Sequence, residues 1–327
     1  MIRIVLLFLM FNLSADILER EDIKEFIDMA LENSDLSKEE IVNYLQDAEP
    51  SKKAVQARSN QPEVKATWDN YLSKRVTKRR IENGVYFLNE YLDIFESVEK
   101  DYGVSKFYIA AIIGLETNYG TYYGSYNPLD TIFTRAFDPK SNYWQKELIE
   151  LMILSKRYNL NPKKIKSSWS GAIGLGQFIP SSYNAYGVDY DLDGFVDLLG
   201  SKEDGIASVA NYLKSNGWQT NGYTAFDVDF DGEFKDLDED EIDSLILPFE
   251  LNNFRTKITS DDLKISGFEF QNDFSSMITP ILIRQGDVTK LYLGFDNFRV
   301  ITKYNRSSKY ALSVHQLASE LSKNFYE

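Results

Sequence analysis

The run Phe107-Tyr-Ile-Ala-Ala-Ile-Ile-Gly-Leu115 is apolar nearly all round at helical spacing. A helix with no polar face cannot lie on a surface, so this segment must sit inside a domain. Asp101-Tyr-Gly-Val breaks the preceding pattern, and Ser105 stands where a cap would start a helix from Lys106 to about Thr117. Glu116 is the acidic side chain of that helix and falls in its last turn. Burial and the negative end of the helix dipole both push such a carboxyl's pKa upward. A carboxylic acid kept protonated near neutral pH is what protonation of a glycosidic oxygen requires. On the local sequence a second reading stays open, a glutamate turned to solvent at a frayed helix end.

The rest of the composition narrows the chemistry. The 327 residues are 43% hydrophobic and 14% aromatic, enough for one large core or two smaller ones, so two or three subdomains are expected. With one histidine and no cysteine, catalysis near neutral pH falls to carboxylates. The missing thiols also exclude disulfides and a thiol-borne lipid anchor. A net charge of -14 argues against a nucleic-acid partner, which needs a basic face. Residues 1–15, with Arg3 ahead of an apolar run from Ile4 to Leu13 and the pair Ser14-Ala15, have a signal-peptide layout too short to span a bilayer. The expectation is export, cleavage near Ala15 and a soluble periplasmic protein with no stable membrane insertion; the alternative is an N-terminal core helix.

Helical spacing of Ile23, Phe26, Ile27 and Ala30, and later of Tyr86, Phe87, Tyr91, Ile94, Phe95 and Val98, predicts an all-α section from Asp22 to about Lys100. Further helices are expected at Tyr143–Tyr158, Asp204–Lys214 with a C-cap at Asn216-Gly217, and Tyr310–Phe325. Leu263–Phe270, Pro280–Arg284 and Leu291–Lys303 read as strands. From Asp227 to Asp243 there are ten carboxylates against one lysine, a stretch with no evident function. The basic run Lys74, Arg75, Lys78, Arg79 and Arg80 reads as a solvated helix face.

The second chemical feature is the turn Gly171-Ala-Ile-Gly-Leu-Gly-Gln177-Phe-Ile-Pro180. Its three glycines let backbone approach a ligand closely, and Gln177 offers a donor and an acceptor suited to hydroxyl and acetamido groups. No P-loop Lys-Ser/Thr follows, which excludes a phosphate cradle, whereas a tight helix-to-helix connection stays open. A third is Asp189-Tyr-Asp191-Leu-Asp193-Gly-Phe195, which repeats the start of an EF-hand loop: oxygens at positions 1, 3 and 5, glycine at 6 and a backbone carbonyl at 7. Gly200 stands where the bidentate glutamate would be. Asp227-Val-Asp229-Phe-Asp231-Gly-Glu233, with Asp238 at position 12, is a weaker second match to the same template.

Taken in order, LETNYG from Leu115, GAIGLGQFIPSSY from Gly171, SVANYLKSNGW and NFRVITKYNRSSKYALSV resemble the lytic murein transglycosylase B family of peptidoglycan lytic transglycosylases, over roughly Trp68 to the C-terminus. The resemblance implies a mainly α (α+β) fold: a lysozyme-like core with a helical N-terminal domain and a small β-containing subdomain. The corresponding boundaries are 1–15 leader, 16–100 helical domain, 101–220 catalytic core with the cation loop, 221–290 acidic segment and β-containing subdomain, and 291–327 strand and helix completing the substrate groove.

It further implies cleavage of the β-1,4 bond between N-acetylmuramic acid and N-acetylglucosamine in peptidoglycan glycan strands, leaving 1,6-anhydromuramyl ends. Glu116 matches the single catalytic glutamate, and Tyr71, Ser168, Gln177, Tyr212, Tyr304, Asn305 and Tyr310 match substrate-groove positions. A structural Ca2+ held by Asp189, Asp191, Asp193 and the Phe195 carbonyl would draw its closing carboxylate from Asp204, and no organic cofactor is expected. Ordinary glycosidases pair two carboxylates; here one glutamate would act as acid and then as base while the sugar's C6 hydroxyl attacks C1. Of the nearest other acids, Asp130 and Asp138, the first reads as a helix cap. The chain departs from the family at Pro139-Lys140-Ser141-Asn142, where relatives carry an arginine pair, and in its acidic stretch. Rival readings are a muramidase using water and a non-catalytic glycan-binding scaffold.

Overall fold

A computed structural model describes residues 17–58, 66–271 and 274–327, so the expected leader lies outside the described residues. The protein is mainly helical, with one small antiparallel sheet. Among the described residues no helix is long and apolar enough to cross a membrane. The chain divides into two compact units, each assembled from separated stretches: residues up to 60 with Thr121–Gly205, and Gln61–Gly120 with Ile206–Glu327.

The first unit is held by a core that joins helices Glu21–Asn33, Lys38–Asp47, Pro128–Phe137 and Asn142–Arg157 through Phe26, Ile41, Leu45, Phe133, Leu148 and Met152, all buried. Asn127, not Asp130, caps the third of these helices: its side chain accepts from the Asp130 backbone N–H at 2.8 Å. Asp130 instead ties the unit together, accepting from Glu49 N at 2.8 Å and from the Lys163 ammonium at 2.8 Å.

In the second unit, helix Lys106–Thr117 is flanked by Lys78–Glu90, Leu92–Tyr102 and Ser308–Tyr326. Its residues from Ile109 to Leu115 are all buried, as its composition demands. Ser105 is at the N-cap but makes no side-chain capping bond; the carboxylate of Glu99 takes the Lys106 N–H instead, at 3.3 Å. The sheet runs in the order β1 (Ala225–Val228), β3 (Val288–Gly294), β2 (Thr279–Gln285), with Ala225 opposite Gly294 and Gln285 opposite Val288. The two-residue loop Gly286-Asp287 closes the β2–β3 hairpin, and Gly286 supplies the positive φ of 59° that such a turn needs.

Two expected strands are corrected. Leu263–Phe270 begins inside a helix, Ser260–Ile265, started by a capping box between Thr259 and Asp262. Leu291–Lys303 splits at Gly294: strand β3 ends there, and Asp296–Tyr304 is a helix that buries Phe298, Val300 and Ile301. The acidic stretch is not a solvated tail, because Val228, Phe230, Phe234 and Ile242 enter a core with Leu263, Phe268, Leu282 and Leu291.

His315, on helix Ser308–Tyr326, shares a 2.7 Å hydrogen bond with the Tyr108 hydroxyl, and burial pushes its pKa down to about 4. The folded state therefore holds the imidazole neutral over a range where the unfolded chain binds a proton. Stability present above pH ~6.5 is expected to fall as the pH drops towards 4, by up to about 3 kcal/mol from this residue. Urea unfolding at pH 7.5 and 4.5 checks this, and His315→Gln should flatten that part of the profile.

Candidate active site

Glu116 is half-buried in the last turn of its helix, which ends in three consecutive left-handed residues: Asn118 (φ 48°), Tyr119 (φ 59°) and Gly120 (φ 79°). Left-handed backbone is unfavourable for asparagine and more so for tyrosine, so tertiary contacts must fix this exit. The Tyr119 ring supplies them. It is buried against Phe87, and it occupies the space a Cβ would need at both Gly84 and Gly114, at 2.3 and 2.6 Å from its hydroxyl. The wedge fixes where the chain carrying Glu116 turns away.

Phenols lie beside the carboxylate. The Tyr310 hydroxyl donates to Glu116 Oε1 at 2.6 Å, and the Tyr310 side chain is buried. Burial first, and the Glu116 charge second, hold the Tyr310 and Tyr304 hydroxyls well above the usual phenol range, so both remain donors at any working pH. Tyr71 contributes to the same effect on Tyr310 and is itself buried. Tyr304 packs edge-on to Tyr212 at 4.7 Å between centroids, and the Tyr212 hydroxyl donates to the Lys303 carbonyl at 2.7 Å. Asn305 follows as the C-cap of the same helix. Glu116, Tyr71, Tyr212, Tyr304, Asn305 and Tyr310 thus all belong to the second unit.

The basic run beside Tyr71 is only partly a solvated face. The Arg75 guanidinium lies 4.9 Å from the Tyr71 ring centroid, and Arg80 is half-buried, donating to the backbone carbonyls of Lys74 and Arg75.

Ser168 and Gln177 belong to the first unit. The Ser168 hydroxyl accepts from the N–H groups of Ser170 (3.2 Å) and Ala172 (3.1 Å), organising the start of the glycine turn. Ile173 and Phe178 then exchange a pair of 2.9 Å backbone bonds, and Gln177 is forced to φ 50° between them. An asparagine or glycine would be easier there, so the glutamine is retained at some conformational expense. Glu147 was not evident from sequence. It is buried on helix Asn142–Arg157, burial pushes its carboxyl up, and it accepts from Ser181 N (3.0 Å) and Oγ (2.7 Å). Its place is to anchor the helix Pro180–Tyr186 that follows the turn. Little in the sequence signalled it, because Glu150 stands among the same apolar positions Leu148, Leu151 and Met152.

The loop after that helix brings carboxylate oxygens of Asp189, Asp191 and Asp204 within 4.8 Å of one another. Asp204 is fully buried and accepts from Tyr190 N at 2.8 Å and Asp197 N at 2.7 Å, while burial pushes its pKa up. Asp189 Oδ1 is buried without a hydrogen-bond partner among the described residues. An all-oxygen set with an orphaned carboxylate oxygen suits Ca2+, whose ligands on opposite sides stand about 5 Å apart. Asp193 lies outside the trio and accepts from Phe195 N at 2.8 Å. The rival loop does not form such a group: Asp227 is in strand β1 and paired with Lys290 at 2.6 Å, Asp231 is paired with Lys235, and Asp238 caps helix Glu239–Ser244.

A half-buried glutamate closing an interior helix, with phenols beside it in a mainly helical fold, fits the class of lysozyme-like glycan-cleaving enzymes. Residues 19–319 match the family described as transglycosylase SLT domain, and the chain belongs to that family of lytic murein transglycosylases. It is 29% identical over 319 residues to membrane-bound lytic murein transglycosylase B of Escherichia coli, covering 94% of this chain and 84% of that one. The structure of the E. coli lytic transglycosylase Slt35 in complex with calcium superposes with a TM-score of 0.81 at 28% identity, over 94% of this chain and 95% of that one. That of SltB3 from Pseudomonas aeruginosa in complex with NAG-anhNAM-pentapeptide gives 0.75 at 27%, over 91% and 78%.

Removing the Tyr310 hydroxyl should leave the carboxylate less well oriented. A hydrogen bond to a charged group is worth about 1.5–3 kcal/mol, so Tyr310→Phe is expected to lower kcat/KM on purified sacculi roughly 10- to 100-fold. An unchanged melting temperature beside that loss would separate the effect from unfolding.

Proposed function

We propose that this enzyme cleaves the β-1,4 bond between N-acetylmuramic acid and N-acetylglucosamine in peptidoglycan strands and releases 1,6-anhydromuramyl ends. The observation that carries the reading is Glu116 held through Oε1 by Tyr310, with phenols beside it. Phenols that stay protonated can orient a carboxyl group and donate to sugar oxygens, but they cannot serve as the second carboxylate of a hydrolase pair. Glu116 would first protonate the departing glycosidic oxygen. As a carboxylate it would then take the proton from the C6 hydroxyl while that oxygen attacks C1, and no water is consumed. The anhydro sugar bound to SltB3 supports this outcome.

Within the second unit Tyr71, Tyr212, Tyr304, Asn305 and Tyr310 would contact glycan, and within the first unit Ser168 and Gln177 would do so. The strained backbone of Gln177 supports its part, since such strain is retained where the side chain is needed. The leader-like residues 1–15 and the wall-degrading relatives support work in the periplasm.

Asp189, Asp191 and Asp204 would hold Ca2+, with Asp193 and the Phe195 carbonyl completing the loop; the calcium complex of Slt35 supports this. The ion would neutralise crowded carboxylates and stiffen the loop, with no part in bond cleavage.

Glu116→Gln keeps the shape but cannot donate a proton, so release of anhydromuropeptides from sacculi should fall by ~10⁴-fold or more with glycan binding retained. End-group analysis decides the reaction type: reducing muramic ends from the wild-type enzyme would show hydrolysis instead. Millimolar Ca2+ should raise the melting temperature, and Asp189→Asn with Asp191→Asn should remove most of that rise; a full response in the double variant would place the ion elsewhere.

A further inference from the structure

The acidic stretch contributes to a pocket that the peptidoglycan reading does not use and that shares no residue with the Glu116 cluster. The cavity, about 530 Å3, is lined by Tyr223, Phe226, Phe274 and Phe295 together with Asp227 and Asp229. Phe295 is buried and forms the floor. Phe226 meets it edge-on (88°, centroids 5.7 Å apart), Phe274 stands nearly parallel to Phe226 (28°, 5.9 Å), and Tyr223 leans on Phe226 at 4.9 Å. Rings in several orientations therefore wall one space. Tyr223 is 63% exposed and Phe226 38%, so this arrangement holds aromatic surface in water.

The two carboxylates differ. Asp227 is neutralised by Lys290 at 2.6 Å. Asp229 is exposed and makes no direct ion pair among the described residues; the neighbouring Lys235 feels its charge but is bonded to Asp231. Ring faces carry negative quadrupole potential, and an unpaired carboxylate beside them adds to it. The chain's net charge of -14 deepens the field. An anion is repelled from such a space. A neutral hydrocarbon would cover the rings at the cost of desolvating Asp229. A cation at the end of an apolar stem satisfies both surfaces: its stem lies on the rings and its charge meets their faces and the carboxylate.

We propose that this pocket binds a primary alkylammonium group carried by a peptide, of the kind a lysine side chain presents. The partner would be a peptide and not the glycan, and its binding would be independent of Glu116.

The test uses full-length protein with ¹³C-labelled aromatic rings, titrated by NMR with Nα-acetyl-lysine methylamide. The matched controls are the norleucine analogue, which has the same stem without the charge, and triacetylchitotriose. Saturable shifts centred on Phe226, Tyr223 and Phe274 are expected with the lysine probe only. Asp229→Asn and Tyr223→Ala, checked for unchanged melting temperature, should each weaken binding about three- to tenfold, the scale of one cation–π or ion contact, while Glu116→Gln should not. Equal shifts from the norleucine analogue would reduce the pocket to an apolar patch. Shifts from chitotriose alone would make it a sugar site, and lysine effects insensitive to both variants would reduce it to diffuse attraction by an acidic surface. Each of those three results overturns the proposal.

Discussion

Everything around the active carboxylate follows from the need to bury a helix on all its sides. Residues Ile109 to Leu115 have no face to offer water, so three helices, two from just before them in the chain and one from its far end, are packed about them. One of these, Ser308–Tyr326, carries Tyr310 in its first turn, and covering the apolar helix is therefore what brings the phenol to Glu116. Hydrophobic burial, which has no direction of its own, acquires one here because the one carboxylate of the buried helix lies in its last turn, with Lys106 as the opposite charge at its start.

The frame and the charged residue at its centre were legible because they are local. Helical spacing gave Lys106–Thr117, the absence of a polar face gave its burial, and Glu116 stood out as its one acid. The family motifs added the tyrosines, none of which could have been separated from ordinary core residues by spacing alone. Where local pattern misled, a cap outweighed alternation: Thr259 and Asp262 start a helix in a segment whose Leu263, Phe268 and Phe270 suggest a strand. The break at Gly294 was hidden for the opposite reason, since a buried strand and the buried face of the next helix are both apolar. Glu147, Asp130 and Arg80 were illegible because their partners lie far along the chain or are backbone atoms, which no side-chain pattern records.

The acidic stretch shows how charge and fold are reconciled. Its carboxylates alternate with Val228, Phe230 and Phe234, so the backbone can place apolar groups in a core while turning acids outward. Asp227, Asp231 and Asp238 each find a local cation or a helix N-terminus, which limits repulsion within the segment.

Tyr119 and the two glycines it covers carry an implication for how such a chain can change. The ring fills the volume that a methyl group at Gly114 would take and shares with Leu321 that at Gly84, so a larger residue at either position needs a smaller one at 119, and at Gly84 a shift of Leu321 as well. Positions 84, 114 and 119 form one unit of inheritance, and in any set of descendants they should vary together or stay fixed together, although Gly84 is thirty residues from Gly114 in sequence.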